Sequence, residues 1–336
     1  MKITMAHGSG GESTSALIRD VFAKHFHNEI LDKLEDSAVV PGSGRLAVTT
    51  DSFVVTPIIF PGGDIGRLSI CGTVNDLLMS GAKPMYLTCG CILEEGLDID
   101  VLDKVIGSMA ETAREAGVKI ITGDTKVIEN KGGEPGLIIN TSGVGFIPDD
   151  LDVPGPFKLE DSDAIIISGN LGDHHAAILG TRMGIESPIK SDNAPLCEMV
   201  NSLLTEGIRV HAMRDVTRGG LGTVLNEFSS SSKCNIELVE NDLPVSNSVR
   251  DFCGILGLDP LYMGNEGKMV LSVHGDDAKR AVEVIRSCKY GENACIIGKV
   301  IKNSDSSDNN NVSVITKIGG KRVVGLMYGE GLPRIC

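Results

Sequence analysis

Apolar side chains along this chain switch repeatedly between the three-and-four spacing of helices and the alternation of strands. Leu17, Ile18, Val21, Phe22 and Phe26 share one face of a helix predicted over 13–27. Strands are expected at 46–51 and 53–56, followed by a helix at 65–80 that Gly81 stops, with Pro84 beyond. Strand 85–93, helix 99–116, strand 119–123 continuing to 128, and strand 137–146 complete a first half. The Pro- and acid-rich stretch 148–163 marks a boundary, after which the alternation restarts. Strand 164–168, helices 173–183, 194–207 and 219–230, strand 235–239, helix 246–256, strand 268–274, helix 277–288 and strand 295–301 follow. The pattern predicts an α/β (α+β) chain with one domain over 1–150 and a second over 151–302.

Residues 303–336 form a third part. The run NSDSSDNNN reads as a polar, flexible connector, and the segment after it as one β-hairpin and an extended end, Pro333-Arg334-Ile335-Cys336.

Composition narrows the partners. With a formal charge of −14, the surface repels nucleic acid and anionic lipid, so neither is expected to bind. The start, MKITMAHGSGGES, carries no apolar core of a signal peptide, and a cytoplasmic location is expected. Nine cysteines without a CxxC pair fit a reducing compartment. Cys71, Cys253 and Cys288 read as small buried apolar residues.

Candidate chemistry lies in four aspartates at predicted strand ends or turns: Asp36, Asp51, Asp76 and Asp124. Each has a hydroxyl or amide neighbour, namely Ser37, Thr50 with Ser52, Asn75, and Thr125. Mg²⁺ takes a few carboxylates together with phosphate oxygens and water, so the set suits a metal–nucleotide site, although single aspartates also cap helices and turns. His7-Gly8-Ser9-Gly10-Gly11 precedes a helix, where bare backbone N–H groups favour phosphate. It lacks the Lys-Ser/Thr of a Walker A loop. A second Gly-rich turn, Arg214-Asp215-Val216-Thr217-Arg218-Gly219-Gly220, opens another helix, and Asn265-Glu266-Gly267 starts a strand.

Together these segments resemble the PurM-like ATP-binding family, which includes aminoimidazole ribonucleotide synthetase, selenophosphate synthetase and thiamine-monophosphate kinase. Asp36, Thr50-Asp51, Val74-Asn75-Asp76, Gly81–Pro84 and Gly123-Asp124 carry this likeness. Within it, His7–Gly11, Phe60–Gly66, Gly72–Asp76, Gly123–Val127, Arg214–Leu221, Asn265–Gly267 and Pro333–Cys336 resemble the HypE family of hydrogenase maturation proteins nearly end to end. The resemblance implies a two-domain fold whose N-terminal halves pair into a β-barrel across a homodimer, with ATP and Mg²⁺ beside the aspartates. It further implies a carbamoyl group placed on Cys336 by a HypF-like carbamoyltransferase, ATP-dependent dehydration to a thiocyanate, and delivery of cyanide to iron on a HypC–HypD pair.

In that frame Asp36, Asp51, Asp76 and Asp124 would hold metal. Gly8, Gly10, Gly11, Thr50, Asn75, Gly123 and Thr125 would line the nucleotide. Glu266 is placed as the base that takes the amide protons, with Lys126 as its charge partner. Lys126 also reads as a phosphate-neutralising group, since strand alternation puts it on the face of Asp124. His7 either binds phosphate or donates a proton. Two other readings stand beside this one: a PurM-like kinase or synthetase acting on a free small molecule, and a non-catalytic nucleotide-binding scaffold.

Overall fold

The computed structural model describes residues 2–8, 12–33, 38, 40–42, 44–302 and 310–326. Its first sheet has the order β1-β6-β4-β5, made by Leu46–Phe53 (β1), Lys83–Glu94 (β4), Lys119–Ile128 (β5) and Leu137–Phe146 (β6). Only the β4–β5 pair is parallel, and the helix Ile99–Ala116 (α4) connects those two strands. A two-residue pair, Ile59–Phe60 (β2) with Gly63–Asp64 (β3), leads into the helix Ile65–Met79 (α3). Where two strands were expected over 46–56, one continuous strand ends at Phe53.

Start and stop signals explain the helices. Asp64 caps α3 by accepting from the Arg67 N–H at 3.0 Å, and Asp98 caps α4. Gly117 ends α4 in the left-handed conformation at φ 71°. Nearly every residue of α3 is buried, because it lies between β1, β6, α4 and the second lobe. That explains its lack of a polar stripe. The predicted N-terminal helix is present as Glu12–Leu17 (α1) and Lys24–Phe26 (α2), joined by a π-helical Ile18–Ala23.

The second sheet has seven strands in the order β13-β12-β9-β11-β7-β10-β8. They are Ala164–Ile167 (β7), Val210–Asp215 (β8), Cys234–Val239 (β9), Met269–Val273 (β10), Cys295–Lys302 (β11), Val312–Ile315 (β12) and Lys321–Val324 (β13). The expected tail hairpin is thus β12–β13, which extends this sheet. Strand β8 was not expected. His211 and Arg214 interrupt its apolar run, and it lies at the sheet edge with β10 as its one strand neighbour. The second lobe's helices are Asp173–Arg182 (α5), Cys197–Thr205 (α6), Gly220–Ser232 (α7), Asn247–Leu256 (α8) and Ala278–Ser287 (α9).

Among the polar ties between the lobes, two centre on α3. Asn75 on α3 donates to the Ala194 carbonyl at 3.0 Å and accepts from the Leu196 N–H at 3.0 Å. Arg67 on α3 bonds Glu115 at 2.9 Å, the Tyr290 hydroxyl at 3.1 Å and the Asn193 carbonyl at 3.1 Å. Tyr290 and Lys289 both donate to Glu115. Burial pulls the Glu115 carboxyl up, but the bonds from Lys289, Tyr290 and Arg67 outweigh it and bring it down to about 2.

Candidate functional site

Alternation along β1 divides its polar residues. Thr49 and Asp51 face α3: Thr49 Oγ1 donates to Asp76 Oδ2 at 2.8 Å, and a Cβ on Gly72 would stand 3.8 Å from the Asp51 carboxylate. Thr50 faces the other side of the sheet, where Ser142 Oγ donates to it at 2.9 Å. The adjacent Thr50-Asp51 of the sequence therefore serves two different faces.

The second lobe adds carboxylates to the Asp51–Asp76 pair. Strand β8 ends in Asp215, close enough to Asp76 and Asp51 for their charges to act on it. Glu266 is buried nearby and feels Asp215, Asp192 and Asp51. The backbone fixes this turn in several places. The Glu266 N–H donates to Asp192 Oδ1 at 3.1 Å, Asn265 Nδ2 donates to Asp192 Oδ2 at 2.8 Å, and the Asn265 N–H donates to the Val216 carbonyl at 2.8 Å. Gly267 has a steric reason, since a Cβ there would lie 1.9 Å from the Asp192 carbonyl oxygen.

Electrostatics mark this group as unusual. Burial raises Asp76, against the Thr49 hydrogen bond and with help from Asp51. Burial and then Asp76 push Asp215 up to about 7. Burial, followed by Asp215, Asp192 and Asp51, raises Glu266 well above the usual carboxylate range, with Arg218 opposing. An all-oxygen donor set under mutual repulsion suits a hard divalent cation, so these residues fit Mg²⁺. Among the described residues no three His, Cys, Asp or Glu side chains are grouped to hold a metal by themselves.

The other predicted residues lie elsewhere. In the strand register, Asp51 aligns through Thr141 and Cys89 with Gly123, so β1 and β5 stand at opposite edges, about 14 Å apart at the usual strand spacing. Asp124 and Lys126 are exposed on β5 and paired at 3.4 Å, with the Thr125 N–H donating to Asp124 at 2.9 Å. The turn Met5–Gly8 packs against β5, and His7 Nδ1 accepts from the Thr4 N–H at 3.0 Å. Beside Gly123, Asp124 and Thr125 an apolar hollow of about 110 Å³ is lined by Ile18, Phe22, Phe26 and Cys89. Asn75 spends its amide on the interlobe tie described above. Gly10, Gly11, Asp36 and Cys336 lie outside the described residues.

The structure thus gathers Asp51, Asp76 and Glu266 at one place and the His7 turn, Gly123, Asp124, Thr125 and Lys126 at another. Asp215 and Asp192 belong to the first group but had no assigned role in the sequence. Asp215 sits in the Gly-rich Arg214–Gly220 segment, a signal that could have found it. Asp192 falls in an irregular stretch without one.

Comparison with known proteins identifies the family. The family described as AIR synthase related protein, N-terminal domain, matches residues 34–147, and the corresponding C-terminal domain matches residues 160–308. Carbamoyl dehydratase HypE of Escherichia coli K12 is 44% identical, over 99% of this chain and 99% of its own. A crystal structure of the hydrogenase maturation protein HypE in complex with ATP superposes with a TM-score of 0.94 at 45% identity, covering 99% of both chains. A crystal structure of a HypE–HypF complex matches with a TM-score of 0.79 at 43% identity, over 93% of this chain and 100% of that one.

Proposed function

This chain belongs to the HypE family of carbamoyl dehydratases in hydrogenase maturation, and we propose that it uses ATP to convert an S-carboxamide on its own Cys336 into a thiocyanate. The observation that carries the proposal is the group formed by Asp51, Asp76, Asp215 and Glu266, where the two lobes supply repelling carboxylates to one place.

Dehydration of –S–C(=O)–NH₂ requires loss of the carbonyl oxygen, which leaves poorly as hydroxide and readily as phosphate. The amide oxygen attacks the γ-phosphorus of ATP, an O–P bond forms and ADP leaves. Loss of both N–H protons and cleavage of the C–O bond then release phosphate and leave –S–C≡N. Phosphoryl transfer of this kind depends on positioning and charge neutralisation.

Asp51 and Asp76, with Asp36, are the residues proposed to hold Mg²⁺, which when bound would neutralise phosphate charge; Asp124, at the opposite edge of the sheet, would join them only from a second chain of the homodimer. Glu266 is the proposed base. A carboxylate whose conjugate acid lies well above the usual range accepts a proton more readily once ionised. Its backbone is held by Asp192, so the side chain has a fixed origin from which to reach the amide nitrogen. His7 remains the other candidate for proton transfer. Lys126, exposed beside Asp124, suits neutralising phosphate; lying in the other group, it would orient Glu266 only from a second chain of the homodimer.

The face of the first sheet that carries Thr50 also exposes Leu46, Val48, Ile92 and Ile128. An apolar strand face of this kind supports pairing of two chains into a barrel. In a homodimer so formed, Gly8, Gly10, Gly11, Thr50, Asn75, Gly123 and Thr125 are the proposed nucleotide neighbours, with the apolar hollow beside Gly123 suited to the base. A HypF-like carbamoyltransferase would load Cys336, and a HypC–HypD pair would take the cyanide. The family match is to AIR synthase-related domains, and no described helix is long and apolar enough to cross a membrane.

Intact-mass analysis tests the reading. Carbamoylated protein given Mg-ATP should lose one water from its C-terminal peptide, and Cys336→Ala should show neither adduct nor loss. Retention of the carboxamide by wild type after ATP turnover would reject the mechanism.

A further inference from the structure

Glu266 is held at both polar groups of its backbone by one short, irregular segment. Its N–H donates to Asp192 Oδ1 at 3.1 Å, and its carbonyl accepts from the Ala194 N–H at 3.4 Å. Backbone meets backbone here: a Cβ on Gly267 would lie 1.9 Å from the Asp192 carbonyl oxygen and 2.7 Å from the Ala194 nitrogen. The same segment is fastened to α3. Asn75 grips the Ala194 carbonyl and the Leu196 N–H, each at 3.0 Å, and its chain neighbour is Asp76. Asp76 and Glu266 are thus linked through residues 192–196.

The link needs a carboxylate at its start. The Asp192 side chain is 6% exposed; Oδ1 accepts from Glu266, Oδ2 accepts from Asn265 Nδ2 at 2.8 Å, and the Lys268 ammonium stands 3.7 Å from Oδ2. An asparagine has one acceptor oxygen, so its amide nitrogen would confront one of those donors. Lys268 is equally buried and donates to the Gly267 carbonyl at 3.1 Å. It passes close to Gly169, where a Cβ would stand 2.8 Å from the lysine Cε. A buried polar network with its partners supplied is rigid and admits one arrangement.

We infer that Asp192 is a positioning residue for the dehydration: with the segment it begins, it sets the place of Glu266 relative to Asp76. The inference deepens the proposed function and rests on Glu266 acting as the base there. A displacement of about 1 Å in a reacting group can cost on the order of 10²-fold in rate, so a rigid link between the two carboxylates matters to the chemistry. The Asp192 charge has a second effect. Burial raises Glu266 first, then Asp215, Asp192 and Asp51, with Arg218 opposing, so Asp192 also adds to the basicity of Glu266.

Single-turnover water loss from the full chain, carbamoylated on Cys336, tests this. Asp192→Asn keeps the shape of the side chain and removes its charge and one acceptor. The rate should fall about ten- to hundredfold, the scale of a hydrogen bond to a charged group, while the ATP KM holds. The acid limb of the pH–rate profile should move to lower pH, because Glu266 has lost a negative neighbour. An unchanged rate, or slowing with the acid limb unmoved or the ATP KM raised in proportion, overturns the positioning role. Since Asp192→Asn leaves a buried ammonium without its partner, the double variant Asp192→Asn with Lys268→Met is measured beside it. It should show the same slowing and the same shift, and recovery of the wild-type rate would overturn the inference. Two controls separate this failure from that of the reading beneath it. Wild type that keeps its water brings down the proposed function, and Glu266→Gln that loses water at the wild-type rate brings down the base.

Discussion

Thr49 Oγ1 and Asp76 Oδ2 are 2.8 Å apart, and this hydrogen bond joins the strand that carries Asp51 to the helix that carries Asp76. It favours the ionised form of Asp76 against burial and the charge of Asp51. Thr49→Val should therefore make Asp76 harder to ionise. Activity with Mg-ATP should fall about tenfold, as for a lost hydrogen bond to a charged group, and fall more at pH 6 than at pH 8. A pH–rate profile of dehydration checks this, and an unshifted profile would separate the threonine from the site.

Glu266→Gln keeps the size of the side chain and removes its capacity to take a proton. Loss of a general base costs on the order of 10²–10⁴ in rate. Stability should move the other way. The folded pKa of Glu266 is raised, so its ionisation destabilises the fold increasingly as pH climbs above the unfolded value. The variant's melting temperature at pH 8 should equal or exceed that of wild type, and a clearly lower one would mean that Glu266 is a structural anchor.

Metal and nucleotide should displace protons. Asp215 is pushed up to about 7, so near neutral pH it is partly protonated in the free protein. A cation held by Asp51 and Asp76, whose charges act on Asp215, favours the ionised form of all three carboxylates. Stabilisation by Mg-ATP should then be larger at pH 8 than at pH 6, with proton release seen by calorimetry in buffers of different ionisation enthalpy. Equal thermal shifts at both pH values would place the cation elsewhere.

Glu115 gives the opposite pH signature. Its carboxyl is brought down to about 2, so its bonds contribute stability above the unfolded value near 4.5 that is lost as pH falls toward about 2. Glu115→Gln should cost about 1.5–3 kcal/mol at pH 7, the scale for hydrogen bonds to charged groups. That difference should shrink steadily in urea titrations taken to lower pH. A constant gap would mean that the clamp acts through packing.

Much of this was legible in the residues. Leu17, Val21, Phe22 and Phe26 are all buried, as their spacing requires, and Gly81 and Gly117 end helices where a left-handed residue is needed. Asp51 and Asp76 could be singled out because carboxylates beside apolar runs are costly without a purpose, whereas Glu266 came through the family resemblance alone. Their grouping could not be read, since it depends on β8, whose His211 and Arg214 hide the strand pattern. Nor could the separation of Asp124 from Asp51, which follows from a strand order that chain position does not reveal. Asp192 supports Glu266 from an irregular segment, where no periodicity points inward.

The Arg67–Glu115–Tyr290 clamp and the Asn75 tie have a further consequence. With both lobes stapled across their junction, opening the cleft like a jaw would break the Arg67 bonds to Tyr290 and Asn193, the Lys289 and Tyr290 bonds to Glu115, and both Asn75 bonds at once. The junction between the lobes is therefore a fixed wall, and whatever enters it must do so without the two halves parting.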